Sequence, residues 1–308
     1  MLLTTSYLDP DLDGVACAIA YAELLTTQNR PATPVFFGTP SDEARWVAQQ
    51  LDLVLPGPSQ LAGTEVILVD ASDRNSLEIP DLVPSQVVEI IDHRQTHEAE
   101  VFANARVQIE LVGSCSSLIT EKFINLEVKP TRISAALLST AIASNTLNFQ
   151  SKTTTDRDRA AFAWLKPFTA LPNDFVLDMF RAKSDLAGKK LIERLENEYA
   201  RAAYGGRKVL FCQLELVGAH ALVQTRGSEI MTELERMAGE FGSNYYLCSL
   251  IELDPDHSSN IFLTDHAPTQ KLLSEILGIP FGPDHIALRP GLIMRKEVLP
   301  LLKYKLEK

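Results

Sequence analysis

The sequence lacks the features that mark secreted, membrane-bound or nucleic-acid-binding proteins. Its first seven residues contain no basic side chain, and no apolar run of about 18 residues follows, which disfavours a signal peptide and a transmembrane helix. The four cysteines are far apart and form no Cys-x-x-Cys pair, which is typical of a reduced, cytoplasmic chain. The net charge of −11 argues against duplex nucleic acid and anionic membranes as partners.

The remaining composition is that of an ordinary globular protein. A length of 308 residues, with 45% hydrophobic and 22% charged side chains, is enough for two domains with separate cores. In the first half, strand-like apolar runs alternate with helical patterns, which predicts an α/β fold with a parallel sheet. The expected strands are 2–7, 34–37, 65–69 and 87–91, and the expected helices are 15–25, 44–53, 116–123, 132–144, 156–165 and 175–182.

The second half has a different pattern and predicts a smaller α+β domain. Residues 182–190 are polar with a glycine, which is typical of a boundary or hinge. We therefore expect a first domain over residues 1–185 and a second over 186–308. The second should contain strands at 208–217, 245–253 and 260–264 and helices at 229–241 and 269–277.

Three segments share one form, in which an apolar strand ends on an aspartate. They are "TTSYLDPDLDG", "VILVDASD" and "VVEIIDHRQTH", and they carry Asp11, Asp13, Asp70 and Asp92 with His93. Ligands gather at the carboxyl ends of parallel strands, and oxygen ligands with an imidazole suit Mn²⁺ or a similar ion. The alternative is that the aspartates only cap helices, but three in register favour a metal site. Asp92 is expected to orient the His93 ring rather than bind the metal.

The same segments resemble the motifs of the DHH phosphoesterase superfamily. The matching stretches are "PDLDG" with "ACAIAYAELL", "LVDAS", "IIDHR", "GSCSSLITE" and "LLSTAIASNTLNF", and the similarity is greatest to the manganese-dependent (family II) inorganic pyrophosphatases. The terminal "RPGLIMRKEVLPLLKYKLEK" extends it to a smaller carboxy-terminal α+β DHHA2 domain, so it covers nearly the whole chain. The resemblance implies a parallel-sheet DHH domain and hydrolysis of phosphoanhydride bonds.

The resemblance also implies roles for individual residues. Asp11, Asp13, Asp70 and His93 match metal ligands, and Asp70 would bridge two ions. Arg295 and Lys296 would bind substrate phosphates. The cofactor would be Mn²⁺, with Co²⁺ or Mg²⁺ as alternatives, at one or two ions per chain.

Four positions depart from the family pattern. Tyr7 replaces the first histidine ligand, Arg94 the second histidine of the DHH signature, Asn145 a fourth aspartate, and Glu297 a cation. Two divalent ions roughly 3.5–4 Å apart repel by about 18 kcal/mol at an effective dielectric of 20, and Asn145 offsets less of that than a carboxylate. We expect Asn145 to complete the better metal position through its oxygen and the other position to be weak.

Arg94 is the most consequential departure. A guanidinium binds phosphate bidentately and never deprotonates, so Arg94 is a candidate phosphate clamp. With Asp11 and Asp70 it is predicted to be catalytic. The alternative is that Arg94 faces solvent or pairs with Glu98 or Glu100. The "DHR" form also resembles the eukaryotic prune proteins of the same superfamily, which are associated with short-chain polyphosphate hydrolysis.

These observations lead to a cytoplasmic, metal-dependent phosphohydrolase of the inorganic pyrophosphatase type. Its partner would be a small phosphate-containing substrate, and a homodimer is left open. The first alternative keeps the machinery and changes the substrate to short-chain polyphosphate or a nucleotide phosphoester. The second, supported by Tyr7 and Asn145, is a non-catalytic phosphate- or nucleotide-binding protein that has lost metal ligands.

Overall fold

The computed structural model of the protein describes residues 1–73, 78–95, 97–254 and 258–308. The chain divides into two units, Met1–Met179 and Phe180–Lys308. In the first unit the described strands are β1 (Leu2–Thr5), β2 (Ala32–Pro34), β3 (Glu65–Val69), β4 (Val87–Asp92) and β5 (Arg106–Ile109). Its helices are α1 (Leu12–Thr27), α2 (Asp42–Gln50), α3 (Cys115–Asn125), α4 (Arg132–Asn145), α5 (Asp156–Thr169) and the beginning of α6 (Phe175–Lys183).

The first sheet has the order β2-β1-β3-β4-β5, and each described pairing is parallel. The predicted α/β fold with a parallel amino-terminal sheet is therefore confirmed. β1, β3 and β4 are almost continuously buried, as expected for the inner strands of a parallel sheet. β5 was not predicted, because it is a short edge strand with two exposed residues.

Helix α1 is the central helix of the first unit. It packs against β1, α3 and α4, and most of its side chains are buried, so it has no clear polar face. Its alanines permit this close packing from several sides. Asp11 caps its first turn by accepting a hydrogen bond from the Gly14 N–H at 3.0 Å. A Cβ atom at Gly14 would lie 2.4 Å from Ser6 Oγ, so the position requires glycine.

The second unit contains a mixed sheet covered on both faces. The described strands are β6 (Tyr199–Tyr204), β7 (Arg207–Leu216), β8 (Tyr245–Glu252), β9 (Ser259–Leu263) and β10 (Ile286–Pro290), in the order β10-β9-β8-β7-β6. β7 and β8 are parallel and the other pairs are antiparallel. The helices are the rest of α6, α7 (Lys190–Asn197), α8 (Ala219–Phe241), α9 (Ala267–Leu277) and α10 (Arg295–Leu306).

Helix α8 begins ten residues before the predicted start. Its first N–H groups, those of Gly218 and Ala219, donate to the buried Glu252 carboxylate at 2.7 to 3.1 Å. This cap comes from the end of β8, more than thirty residues later in the chain. No local sequence pattern therefore predicts it. None of the described helices combines the length and the apolar character that crossing a bilayer needs.

Candidate metal and phosphate site

Three predicted site residues come together at the carboxyl edge of the first sheet. Asp13 lies in the first turn of α1, Asp70 directly follows β3, and His93 directly follows β4. One ligand atom of each lies within 4.8 Å of the other two. Across residues 1–73, 78–95, 97–254 and 258–308, no other group of acidic, histidine or cysteine side chains has this spacing, and Asp11 is not a member of this one.

The Asp70 carboxylate is buried with one oxygen unsatisfied. The residue is 2% exposed, and its Oδ1 has no hydrogen-bond partner among the described atoms. The backbone is held at a left-handed φ of 54°, with the Asp70 N–H donating to the Ile91 carbonyl at 2.8 Å. Burial raises the pKa of Asp70 well above its ordinary value. A buried unpaired acceptor costs about 1–3 kcal/mol, which a bound cation would offset.

The His93 ring presents one nitrogen to both carboxylates. Its Nδ1 donates to the Val112 carbonyl at 2.9 Å, which directs Nε2 towards Asp70 Oδ1 at 3.3 Å and Asp13 Oδ2 at 3.9 Å. Burial lowers the pKa of His93, but Asp70 and Asp13 outweigh this effect and raise it to about 10. A cation bound here would take the place of that proton.

The Asp13 carboxylate is fully buried and surrounded by donors. Its Oδ1 accepts from the Ser114 hydroxyl at 2.9 Å and from the Ser116 N–H and hydroxyl at 2.9 and 2.6 Å. Its Oδ2 accepts from the Cys115 N–H at 2.8 Å. The donors lie at the start of α3, where the helix dipole also favours a negative charge. These donors compensate the burial of the Asp13 carboxyl group.

Another buried carboxylate, Asp158 in α5, holds residues 112–117, the segment that contacts Asp13 and His93. We refer to these residues as the 112–117 segment. Asp158 accepts from the Gly113 N–H at 2.9 Å, the Ser114 N–H at 3.2 Å and the Ser117 hydroxyl at 2.6 Å. The sequence analysis missed Asp158, although Thr155 and Asp158 have the spacing of a capping box, which the structure contains.

Asp92 and Asp9 have structural partners that the sequence analysis did not identify. Asp92 accepts from the His93 N–H at 2.7 Å and from the Ser72 hydroxyl. It fixes the backbone at the end of β4, so the expectation that it orients the His93 ring is wrong; the Val112 carbonyl does so. Asp9 accepts from the Thr39 N–H and stabilises a loop outside the metal-ligand group.

Tyr7 and Asp11 lie together beside the three-residue group. The Tyr7 hydroxyl accepts a hydrogen bond from the Asp11 N–H at 3.2 Å. Burial, followed by the charges of Asp11 and Asp70, raises the pKa of Tyr7 far above its ordinary value. Tyr7 therefore stays a neutral phenol at physiological pH, which makes it a poor ligand for a divalent ion. The metal-binding and catalytic roles of Asp11 stay predictions.

Arg94 is held within the site by its described neighbours. Its Nη2 donates to the Asp70 carbonyl at 2.9 Å, and its guanidinium lies 5.2 Å from the centre of the Tyr7 ring. It also pairs with Asp73 at 3.5 Å and Asp92 at 3.8 Å. The described partners of Arg94 are thus residues in and around the candidate site, and its side chain is 32% exposed, so phosphate can reach it.

Asn145, at the end of α4, contacts the site through its nitrogen. Its Nδ2 donates to Asp13 Oδ2 at 2.6 Å. This bond adds to the support of the Asp13 carboxylate and turns the amide oxygen away from that contact. Ligation of a metal by the Asn145 oxygen stays a prediction.

The two predicted phosphate-binding cations of the second unit have different surroundings. Arg295 is the first residue of α10, and its Nη1 donates to the Glu198 and Phe211 carbonyls at 3.2 and 3.3 Å. Lys296 is exposed. Glu297 accepts from the Met294 N–H at 3.0 Å, which explains an acid at this position as a helix cap. Contact of Arg295 and Lys296 with substrate stays a prediction.

The donor set of the site fits one divalent ion. Two carboxylates and an imidazole are ligands that Mn²⁺ and similar ions accept. Asp70 Oδ1, which makes no hydrogen bond among the described atoms, and Nε2 of His93 face each other at 3.3 Å. When both are ionised, the Asp13 and Asp70 carboxylates carry two negative charges, which equal the charge of one such ion. The second coordination layer is also present, because the Val112 carbonyl holds the imidazole and the α3 N-terminus holds Asp13.

Comparison with known proteins confirms the resemblance for the first unit. Residues 3–144 match the DHH family, N-terminal domain. A manganese-dependent inorganic pyrophosphatase of Bacillus subtilis is 27% identical over 307 residues, which cover 98% of this chain and 97% of the relative.

Two solved structures share the fold. One is a candidate family II inorganic pyrophosphatase of Methanococcus jannaschii, with a TM-score of 0.66, 23% identity and complete coverage of both chains. The other is an exopolyphosphatase-related protein of Bacteroides fragilis, with a TM-score of 0.51 and 13% identity, covering 99% of this chain and 91% of that one.

Metal binding at Asp13, Asp70 and His93 should release about one proton per ion between pH 6 and 8.5. The raised pKa values of His93 and Asp70 mean that the ion-free pair retains a proton, which the cation must displace. Affinity for Mn²⁺ should therefore rise with pH, by up to about tenfold per unit. Calorimetry in buffers of different ionisation enthalpy measures the proton count. His93→Gln should remove most of it, and a pH-independent affinity would contradict the assignment.

Replacing Asp158 by asparagine should weaken metal binding without touching a ligand. The amide cannot accept all the hydrogen bonds from Gly113, Ser114 and Ser117, so the 112–117 segment should shift. We expect about 10- to 100-fold lower Mn²⁺ affinity and about 2 kcal/mol lower free energy of unfolding.

The matched control for Asp158→Asn is Glu252→Gln, which alters a buried helix-capping carboxylate of the second unit. It should reduce stability and leave Mn²⁺ affinity unchanged. Urea unfolding and Mn²⁺ titration separate the two effects. The assignment fails if Asp158→Asn loses stability but keeps the parent's affinity.

Proposed function

Because residues 3–144 form a DHH family domain, we propose that this chain is a metal-dependent phosphohydrolase that cleaves phosphoanhydride bonds. The observation that carries the proposal is the buried Asp70 carboxylate, whose Oδ1 makes no hydrogen bond among the described atoms and lies 3.3 Å from Nε2 of His93, beside Asp13. The named relative of Bacillus subtilis, which extends over nearly the whole chain, supports inorganic pyrophosphate as the substrate and Mn²⁺ as the metal. The four free, buried cysteines agree with a reducing, cytoplasmic location.

Some residues of the site would bind the ion, and others would bind the substrate. Asp13, Asp70 and His93 would bind a divalent ion, which supplies charge neutralisation at the phosphoryl group and lowers the pKa of water. Arg94 would bind a phosphate oxygen with the part of its guanidinium that does not contact the Asp70 carbonyl. Asp11, whose N–H donates to the Tyr7 hydroxyl, would accept a proton from the attacking water.

Arg94 favours a second candidate substrate, short-chain polyphosphate. A fixed guanidinium adds a permanent positive charge where a histidine would be neutral or bind metal, and this suits a substrate with more anionic groups. The third possibility is binding without catalysis. Its support is the neutral Tyr7 phenol and the neutral Asn145 amide, which reduce the ligand charge available for a second ion.

A hydrolysis screen tests the proposal and separates the three alternatives. The parent protein should release phosphate from pyrophosphate fastest with Mn²⁺, compared with Co²⁺ and Mg²⁺, and tripolyphosphate and nucleotides are the competing substrates. Asp70→Asn removes the buried charge and should lower the rate to that of the metal-free protein. Asp52→Asn makes the same chemical change at an exposed position and should have no effect. Tight pyrophosphate binding without turnover under all conditions would instead support a binding protein.

Restoring the family pattern with Tyr7→His and Asn145→Asp should strengthen binding of a second ion. The new aspartate would lie next to Asp13 Oδ2, where the amide now donates at 2.6 Å, and two carboxylates so close need a cation between them. We expect the ion-free variant to be less stable than the parent. After mild dialysis the parent should retain nearer one ion per chain and the variant nearer two, with faster pyrophosphate hydrolysis.

Metal analysis and phosphate release measure this outcome. Two tightly retained ions in the parent would show that the charge argument is wrong. No gain in metal content or rate for the double variant would favour a chain specialised for a different ligand.

A further inference from the structure

A second pocket of the first unit lies at the far end of the elements that carry the candidate metal site. Its volume is about 380 Å³, within the range of small-molecule sites. The second half of α1 contributes Tyr21, Leu24 and Leu25, the end of α3 contributes Lys122, and β5 contributes its first residue, Arg106. Asp13 lies at the beginning of α1, so the helix separates the two places by about 15 Å, at 1.5 Å per residue.

The pocket has an excess of positive charge. Arg30, Arg106 and Lys122 line it, and none of the lining residues is acidic. Behind them lies Glu89, which is 4% exposed and whose Oε1 already accepts from the Tyr21 hydroxyl at 2.8 Å and from Arg106 Nη2 at 2.6 Å. One carboxylate against three cations leaves two positive charges, in a chain whose net charge is −11.

Lys122 has no carboxylate partner in the described part of the chain. Its Nζ donates to the neutral Gln108 Oε1 at 2.6 Å and lies 5.7 Å from the centre of the Tyr21 ring. After Glu89, Glu110 is the other carboxylate that raises the pKa of Lys122, and Glu110 is paired with Arg157 at 2.8 Å. Burial of the ammonium lowers the pKa of Lys122, and the charge of Glu89 opposes this effect without outweighing it.

The dipole of α3 explains the position of one of the three cations. Lys122 is in the last turn of α3, where a positive charge is favourable. Arg30 follows the end of α1, and Arg106 starts a strand, so neither belongs to the last turn of a helix. Arg30 also has no described side-chain hydrogen bond or ion pair and is exposed. Arg30 therefore remains available to a ligand, and Arg106, although it is paired with Glu89 at 2.6 Å, is 72% exposed at its side chain.

The pocket also has an apolar wall. Leu24, Leu25 and the Tyr21 ring form its inner side, and Leu126 is 48% exposed beside them. We propose that this pocket binds a nucleoside monophosphate, with the phosphate on Arg30, Arg106 and Lys122 and the flat base against the exposed side chain of Leu126. This proposal is independent of the catalytic one, because no residue is shared between the two sites.

Adenosine monophosphate is the probe, titrated by calorimetry into the full chain in the presence of a chelator. Binding should be tighter than that of inorganic phosphate or adenosine, since each of these keeps only one half of the contacts. Arg30→Gln and Lys122→Gln should each weaken binding about tenfold or more, as expected for loss of a charge-assisted bond. Lys129→Gln makes the same charge change at an exposed position of the same unit and should leave affinity unchanged.

Arg94→Lys distinguishes this pocket from the candidate metal site and should also leave the affinity for adenosine monophosphate unchanged. The proposal is overturned if the probe does not bind, or if Arg30→Gln and Lys122→Gln bind it like the parent. Inorganic phosphate binding as tightly as the nucleotide would overturn the assignment of the base to the apolar wall. Because Arg30 is exposed, its variant tests the proposal even if Lys122→Gln fails to fold.

Discussion

The structure of the first unit depends on the burial of two neighbouring carboxylates, Asp13 and Asp70, away from water. A buried carboxylate is costly unless donors or a cation compensate it. Asp13 is compensated by the N-terminus of α3 and two serine hydroxyls. Asp70 keeps an unsatisfied oxygen. The two carboxylates therefore have different roles. Asp13 is held in place by its donors, and Asp70 is the carboxylate whose negative charge a ligand must balance.

The 112–117 segment holds the side chains around these two carboxylates in place. Its carbonyl at Val112 fixes the His93 tautomer, and its N–H groups and hydroxyls bind Asp13. Gly113 allows the close approach, because a Cβ there would lie 2.7 Å from Thr146 Cγ2 and 2.9 Å from Asp158 Oδ2. A segment that runs from the loop after β5 into the first turn of α3 thereby positions two of the candidate metal-binding side chains at once.

Much of this could be predicted from the sequence, and the limits have physical causes. The long buried strands and the periodic helices follow from local patterns, and the strand-end aspartates mark the edge of the sheet where the site lies. The start of α8 and the orientation of His93 could not be predicted, because Glu252 and the Val112 carbonyl act from distant parts of the chain. The "GSCSS" stretch resembles a family motif, but the sequence does not show that the Ser114 and Ser116 hydroxyls donate to Asp13.

Arg94 and Asn145 change the charge of the site in the same direction. A guanidinium bound to the Asp70 carbonyl places a permanent positive charge where a second ion would otherwise be attracted, and an amide donor at Asp13 occupies an oxygen that a second ion could use. Each substitution alone would leave an imbalance. Together they reduce the need for a second ion and retain a cation for an anionic substrate. The combination is therefore consistent with a site built around one metal ion and one arginine.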